Sequence, residues 1–208
     1  TVSTSSVTVT IAEVGAQVLL TDLARDGHGN PAIELGTVLG SAIAKKMDQD
    51  LLALFDGFST SLGGAGTEIT VADIFKAVAI LQNNNAPGSM AAVIHPYTAY
   101  QLKANLTNTF ANPNGGDAQN EAMRSSFVGS LGGVDIYQSS NLTVDGNGDV
   151  KGAVFSREAL AIALKRDFQI ETQRDASLRA TELNATAVYG VGELDDTYGV
   201  ELFFDAAV

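Results

Sequence analysis

The chain has 208 residues, 45% of them hydrophobic, and a net charge of −12. It has the size and composition of a globular chain with one large core or two small lobes, and no apolar run approaches the roughly 18 residues needed to cross a bilayer. The charge excludes tight binding to nucleic acid, which needs many Lys and Arg, and the lack of cysteine excludes disulfides, thiolate metal sites and Cys nucleophiles. A cysteine-free chain suits the cytosol, and equally a particle that meets both reducing and oxidising surroundings.

The chain opens on the polar run Thr1-Val2-Ser3-Thr4-Ser5-Ser6, which has neither the basic nor the apolar region of a signal peptide. Val7–Ile11 alternates apolar and polar and predicts a strand. Gly15 breaks that pattern, and Val18–Leu20 reads as a second strand. Asp22 is placed to cap a short helical turn, and Asp26–Asn30 is loop chemistry.

Pro31 fits the first position of a helix with Asn30 as its cap. Leu35, Leu39, Ile43, Met47, Leu51 and Phe55 recur every four residues, with Val38, Ala42 and Leu54 widening the stripe. The spacing predicts a helix over 31–56, roughly 39 Å long at 1.5 Å per residue. Gly36 and Gly40 inside it read as the close approach of a packed strand. A membrane-dimerising pair is excluded by Lys45, Lys46, Asp48 and Asp50, which follow.

Residues 57–66 form a Gly- and Ser-rich loop. Thr70 with Asp73 resembles a capping box opening a helix over 71–84, with Ile74, Val78 and Leu81 inward. Asn83–Gly88 ends it, Met90–Ile94 is a short buried strand, and Pro96 opens a helix over about 97–106. Asn112–Asp117 is a flexible excursion, and a short helix follows over 118–125. Strands are predicted over 133–139 and 150–155, joined by the hairpin-like turn Asp145–Asp149, then over 160–165, 168–174, 182–191 and 199–204. The class is α+β with a mixed central sheet.

No candidate catalytic, cofactor or metal site emerges. Asp145, Asn147 and Asp149 imitate the start of a calcium loop, but its sixth position holds Val150 and its twelfth Ser156, so the hairpin turn is the better reading. His95 follows a strand, but the chain's other histidine, His28, lies in a distant loop, and neither HExxH nor GxSxG occurs. A capping or packing role suits His95 better. Gly63–Thr67 lacks the lysine of a phosphate loop and follows a helix, so it reads as a flexible connector. Asn105, Asn141 and Asn184 each open an Asn-x-Thr triplet, as chance provides in an Asn- and Thr-rich chain. Residues 180–208 hold Glu182, Glu193, Asp195, Asp196, Glu201 and Asp205 and no cation. That run is a solvated face, a surface that repels packed DNA, or one that meets a basic surface on a neighbour.

The stretch Phe168–Asp175 and Ala180–Gly192 resembles the major capsid proteins of tailed bacteriophages, which have the Hong Kong 97-type fold. The likeness extends back through Gly152–Leu160, Gly133–Tyr137 and Ala42–Leu52, and it rests on the order of elements and not on one motif. The resemblance implies a spine helix at 31–56 and part of an extended hairpin near 1–25. It implies a peripheral lobe of 1–69 plus 166–208 and an axial lobe of 70–165. The family's N-terminal arm and the ascending half of its hairpin are missing here, and no residue carries over the family's Lys–Asn crosslink.

The implied function is a non-catalytic coat protein, without cofactor or metal, that self-assembles into the icosahedral head. Copies of itself in pentamers and hexamers are its partners, with portal, scaffold or decoration proteins beside them. The shell encloses double-stranded DNA without reading its sequence and touches no membrane; the virion is its location and the host cytoplasm its place of assembly. A stiff helix between two slightly rotating lobes would let one chain fill non-identical lattice positions. The loop 111–117 would vary among them, and the lumenal face would be neutral to negative. Two alternatives stand beside this: an encapsulin-like bacterial compartment, and a soluble α+β enzyme.

Overall fold

Pro31, with its fixed φ and missing N–H, starts α2 (Pro31–Leu52) where the spacing places it. The computed structural model of the chain describes residues 6–27, 31–110 and 130–206. Asn30, His28, the loop 111–117 and the helix expected over 118–125 lie outside the described residues. The elements in order are β1 (Ala12–Thr21), α1 (Asp22–Gly27), α2, a 3-10 turn (Ala53–Gly57), β2 (Ser61–Gly63) and α3 (Val71–Asn83). They continue with β3 (Met90–Ile94), α4 (Pro96–Phe110), β4 (Ser130–Leu131), β5 (Val134–Gln138), β6 (Asp149–Ser156), β7 (Leu160–Asp175), β8 (Ala180–Glu193), a second 3-10 turn (Asp196–Tyr198) and β9 (Gly199–Asp205).

The chain forms two compact units, one of residues 1–51 and 161–192 and the other of 52–160 and 193–208. The bounds follow strand pairing: β9 pairs with β6 and so belongs to the sheet of the second unit, while β8 pairs with β1 in the first.

In the first unit the sheet order is β1-β8-β7. β1 runs antiparallel to β8 from Ala12↔Tyr189 to Thr21↔Ala180. Alternation places Val14, Ala16, Val18 and Leu20 on the same face as Leu183, Ala185, Ala187 and Tyr189. Leu39 and Ile43 of α2 pack into that face, with Leu35 and Met47 half-buried beside them. Val38 and Ala42, expected to widen the buried stripe, are exposed; the packed face is narrower because only one side of α2 has a sheet to meet. A Cβ at Gly36 would lie 3.6 Å from Ile170 and one at Gly40 3.6 Å from Phe168. The strand that approaches the helix is therefore β7, as the two glycines suggested.

Three sequence expectations change here. Gly15 does not break a strand: β1 runs through it. Residues 7–11 are not a strand, because the chain leaves the sheet and crosses the face of β8. There the Thr10 carbonyl would stand 2.4 Å from a Cβ at Gly190, and Val9 packs over Gly192. The segments 160–165 and 168–174 are one strand, since Arg166 and Asp167 continue the extended chain in place of turning it.

In the second unit the sheet order is β2-β9-β6-β3-β5-β4. β2/β9 and β3/β5 are parallel and the remaining pairs antiparallel, so the mixed sheet is as expected. One face carries Ile94, Val134, Val154, Leu202 and Phe204 against Ile74, Val78 and Leu81 of α3 and Leu102 of α4. The opposite face is closed by Phe55, Phe58, Leu142 and Ala159. The capping box forms: the Asp73 carboxylate accepts the Thr70 amide at 3.0 Å and its hydroxyl at 2.7 Å, and the Asp73 amide donates to the Thr70 carbonyl. β5 and β6 are not a hairpin, because β3 lies between them. The turn 145–149 instead folds back locally to bridge Val144 with Val150. Nor is 63–67 a loose connector: β2 pairs with β9, and the Gly64 amide donates to the Phe203 carbonyl at 2.8 Å.

Candidate functional site

The groups that could do chemistry are engaged in holding the fold. His95 is 9% exposed, and its Nδ1 accepts the Tyr97 amide at 3.3 Å at the start of α4. Burial pushes its pKa down, so it is a neutral cap, as read from the sequence. The Asp145 carboxylate accepts the amides of Asn147 at 2.8 Å and Asp149 at 2.9 Å, which hold it below the usual carboxylate range. The Asp149 carboxylate is turned to the Gly66 amide at 2.8 Å. The Asp145 bonds are those of a tight turn, and the Asp149 bond ties that turn to the segment after β2. Among the described residues no group of three or more His, Cys, Asp or Glu is arranged to hold a metal ion, and no helix is long and apolar enough to cross a membrane.

The acidic C-terminal run is not simply a solvated face. Glu201 is 5% exposed, accepts the Ser61 hydroxyl at 3.0 Å, and lies 3.8 Å from the Lys151 ammonium, which also pairs with Asp56. Asp195 caps the second 3-10 turn through the Thr197 amide, and Asp196 accepts the Ser59 amide at 2.6 Å. Burial raises the pKa of Glu193, and the neighbouring charges of Asp196 and Asp195 raise it further. These acids are fastenings, found only once β9 is seen beside β6 and β2.

In the first unit α2 is pinned to the sheet by a polar clamp. The Tyr189 hydroxyl donates to one oxygen of Asp50 at 2.7 Å and the Lys46 ammonium to the other at 2.5 Å. Burial, and then the Asp50 charge, push the Tyr189 pKa up to about 12. Burial alone would raise the Asp50 carboxyl, but the Lys46 and Tyr189 bonds outweigh it and leave the pKa lowered. A carboxyl lowered on folding stabilises above its unfolded pKa, and that stability is lost as pH falls through the folded value. Tyr189→Phe is expected to cost about 1 kcal/mol in denaturant unfolding at neutral pH and to raise the Asp50 pKa measured by NMR titration.

What the first unit offers outward is apolar. β7 is an edge strand, and every residue from Leu164 to Arg174 is exposed. Ile162 and Leu164 are 48% and 52% exposed, and on the same face Phe168 and Ile170, beside Gly40 and Gly36 of α2, keep 38% and 39%. Ile33 and Val38 of α2 and Leu23 of α1 are exposed as well. A long apolar edge strand in a soluble protein is an aggregation hazard unless another chain covers it. The sequence reading missed it because the charged pair Arg166–Asp167 was taken as a break between two short strands.

The family model described as phage capsid protein matches residues 4–201. The chain belongs to the phage capsid protein family. No curated protein sequence matches it. Among solved structures, one from Mycobacterium phage Che8 superposes with a TM-score of 0.74 at 20% identity, covering 92% of this chain and 70% of that one. The capsid of cyanophage P-SCSP1u matches at a TM-score of 0.73 and 19% identity, over 96% of this chain and 74% of the other. The SrpI encapsulin complex of Synechococcus elongatus matches at 0.71 and 13%, over 95% and 75%. At these identities the structural likeness speaks for the fold, and the family match for the role. The capsid protein has the α+β, Hong Kong 97-like fold class expected of it, and its function is that of a major capsid protein, a structural shell component of the virion that assembles with copies of itself. The exposed edge of β7 and the apolar residues of α1 and α2 are the surfaces that such assembly would cover.

Proposed function

We propose that this capsid protein builds an icosahedral head from pentamers and hexamers of itself and catalyses no reaction. The family match over residues 4–201 carries the reading. The long uncovered β7 edge supports it, since a shell subunit has neighbours to close that edge and a monomer does not. The unit built on α2 and the three-stranded sheet is proposed as the peripheral lobe, and the unit built on the six-stranded sheet as the axial lobe. Assembly takes place in the host cytoplasm, with portal, scaffold and decoration proteins as further partners.

The enclosed genome is double-stranded DNA held without sequence-specific contacts. A chain of net charge −12 supports a lumen that is neutral to negative, from which DNA leaves freely because few phosphates are neutralised. The fold likeness to the encapsulin complex favours a second reading, a compartment that holds protein cargo. Electron microscopy of the purified particles, with nucleic-acid and protein analysis of their contents, separates the two. Closed shells containing long double-stranded DNA are expected. Shells with a protein cargo and no genome would support the compartment, and a chain that stays monomeric at high concentration would overturn both.

A further inference from the structure

We propose that Glu193 and Asp196 form a proton-operated latch on the segment joining β8 to β9: with a proton shared between the two carboxyls the segment is tied down, and without it the tie weakens. Only Leu194–Tyr198 separate the two strands, and β8 lies in the three-stranded sheet while β9 lies in the six-stranded one. Four successive residues of that short passage are fastened within the second unit. The Ala159 carbonyl accepts the Leu194 amide at 2.7 Å and the Asp195 amide at 3.3 Å. The Asp196 carboxylate accepts the Ser59 amide at 2.6 Å, and the Thr197 carbonyl accepts the Asn84 side-chain amide at 2.9 Å. Three of these fastenings use neutral groups and do not titrate. The one through Asp196 does, because Asp196 is also hydrogen-bonded to the Glu193 side chain, and two carboxyls bond only with a proton between them.

Packing holds the Glu193 carboxyl in place. A Cβ at Gly57 would stand 2.8 Å from its Oε2, so glycine leaves it room against the 3-10 turn. The charges acting on Glu193 are those of Asp196 and Asp195, both negative. The 3-10 turn carries Asp56, which pairs with Lys151, and the β6–β7 turn carries Arg157 and Glu158, both exposed. Among the described residues, then, no cation offsets the repulsion. Burial first, and these charges after it, hold the Glu193 carboxyl above its ordinary value. A carboxyl raised on folding adds stability that is complete below its unfolded pKa and is lost as pH rises through the folded value. The latch is therefore shut in acid. It opens once both groups are charged, when Glu193 repels Asp196 and weakens its hold on the Ser59 amide. The sign is opposite to that of the Asp50 clamp on α2, whose carboxyl is lowered on folding. Acid thus tightens the passage from β8 to β9 while it weakens the hold on α2.

Hydrogen exchange of the Ser59 amide in the full chain, from about pH 4 to 8 and corrected for the intrinsic rate of an unfolded chain, tests the latch. In the parent, protection is expected to fall as Glu193 loses its proton. In Glu193→Gln, whose neutral amide donates to Asp196 at every pH, it is expected to stay level. NMR titration of the Glu193 carboxyl gives a second readout. Asp196→Asn keeps an oxygen for the Ser59 amide and removes the facing charge, so the Glu193 pKa is expected to drop. A carboxyl raised by burial alone would not move. Ser59 protection that follows the same course with pH in the parent and in Glu193→Gln would overturn the latch. So would a Glu193 pKa that Asp196→Asn leaves in place. Both results concern the latch alone, and shell closure by the parent is measured separately and stands or falls without them.

Discussion

Phe55→Ala is expected to destabilise the 52–160/193–208 unit by about 3–5 kcal/mol, the usual cost of emptying a fully buried phenylalanine site. Phe55 is 1% exposed and sits in the 3-10 turn after α2. Its ring stacks on Phe58 at 6.2 Å and meets Phe155 of β6 at 5.3 Å. The three rings, with Leu142 and Ala159, close the face of the six-stranded sheet opposite α3 and α4. Shortening the side chain leaves a hole between rigid neighbours, and Phe58 loses one of its supports. Denaturant unfolding checks the value. A loss under about 1 kcal/mol would show that the site collapses freely and that the second core layer contributes little. The consequence for assembly follows from cooperativity: a shell subunit unfolded in one unit offers no complete set of contacts, so the variant should also yield fewer closed particles.

What was legible in the sequence was what local chemistry dictates. Pro31 and the four-residue stripe give α2, Thr70 with Asp73 gives the start of α3, and Met90–Ile94 gives the buried central strand. Each signal is complete within a few residues. The errors share a different cause: they concern which strand meets which. The turn 145–149 has hairpin composition and is a tight turn, yet β3, from much earlier in the chain, takes the place beside β6 that a hairpin would give to β5. The acids of 193–205 look like a solvated run because their partners, Ser59, Ser61 and Lys151, are distant in sequence. The assembly surface was hardest to see. An exposed apolar edge strand and a buried one have the same alternation, and only the folded sheet shows that, among the described residues, no strand pairs beyond β7. Periodicity reached α+β with a mixed sheet, resemblance to tailed-phage capsid proteins supplied the particular fold, and the family match over 4–201 agrees with it.

Gly63→Ala tests that distinction at one atom. Read as a flexible connector, the segment Gly63–Thr67 should tolerate the change or gain about 0.4–1 kcal/mol, because alanine restricts the unfolded chain. The structure demands the opposite sign. Gly63 ends β2 with φ at +94°, a region that costs a residue bearing a Cβ roughly 1–2 kcal/mol. Its added Cβ would lie 2.2 Å from the Phe203 carbonyl oxygen and 2.6 Å from the Phe204 ring. Phe204 is 1% exposed in the core beneath α3, so the ring has no room to withdraw and β2 must lift from β9. Overpacking of this kind adds about 1–3 kcal/mol, for a total loss of roughly 2–5 kcal/mol. Release of β2 would also free the Ser61 hydroxyl from Glu201 and leave that buried carboxylate with Lys151 as its remaining partner. Hydrogen exchange should then show the Gly64 amide, bonded to the Phe203 carbonyl in the parent, losing protection ahead of the amides of β3 and β6. Unchanged or increased stability would mean that β2 is not strapped to the sheet.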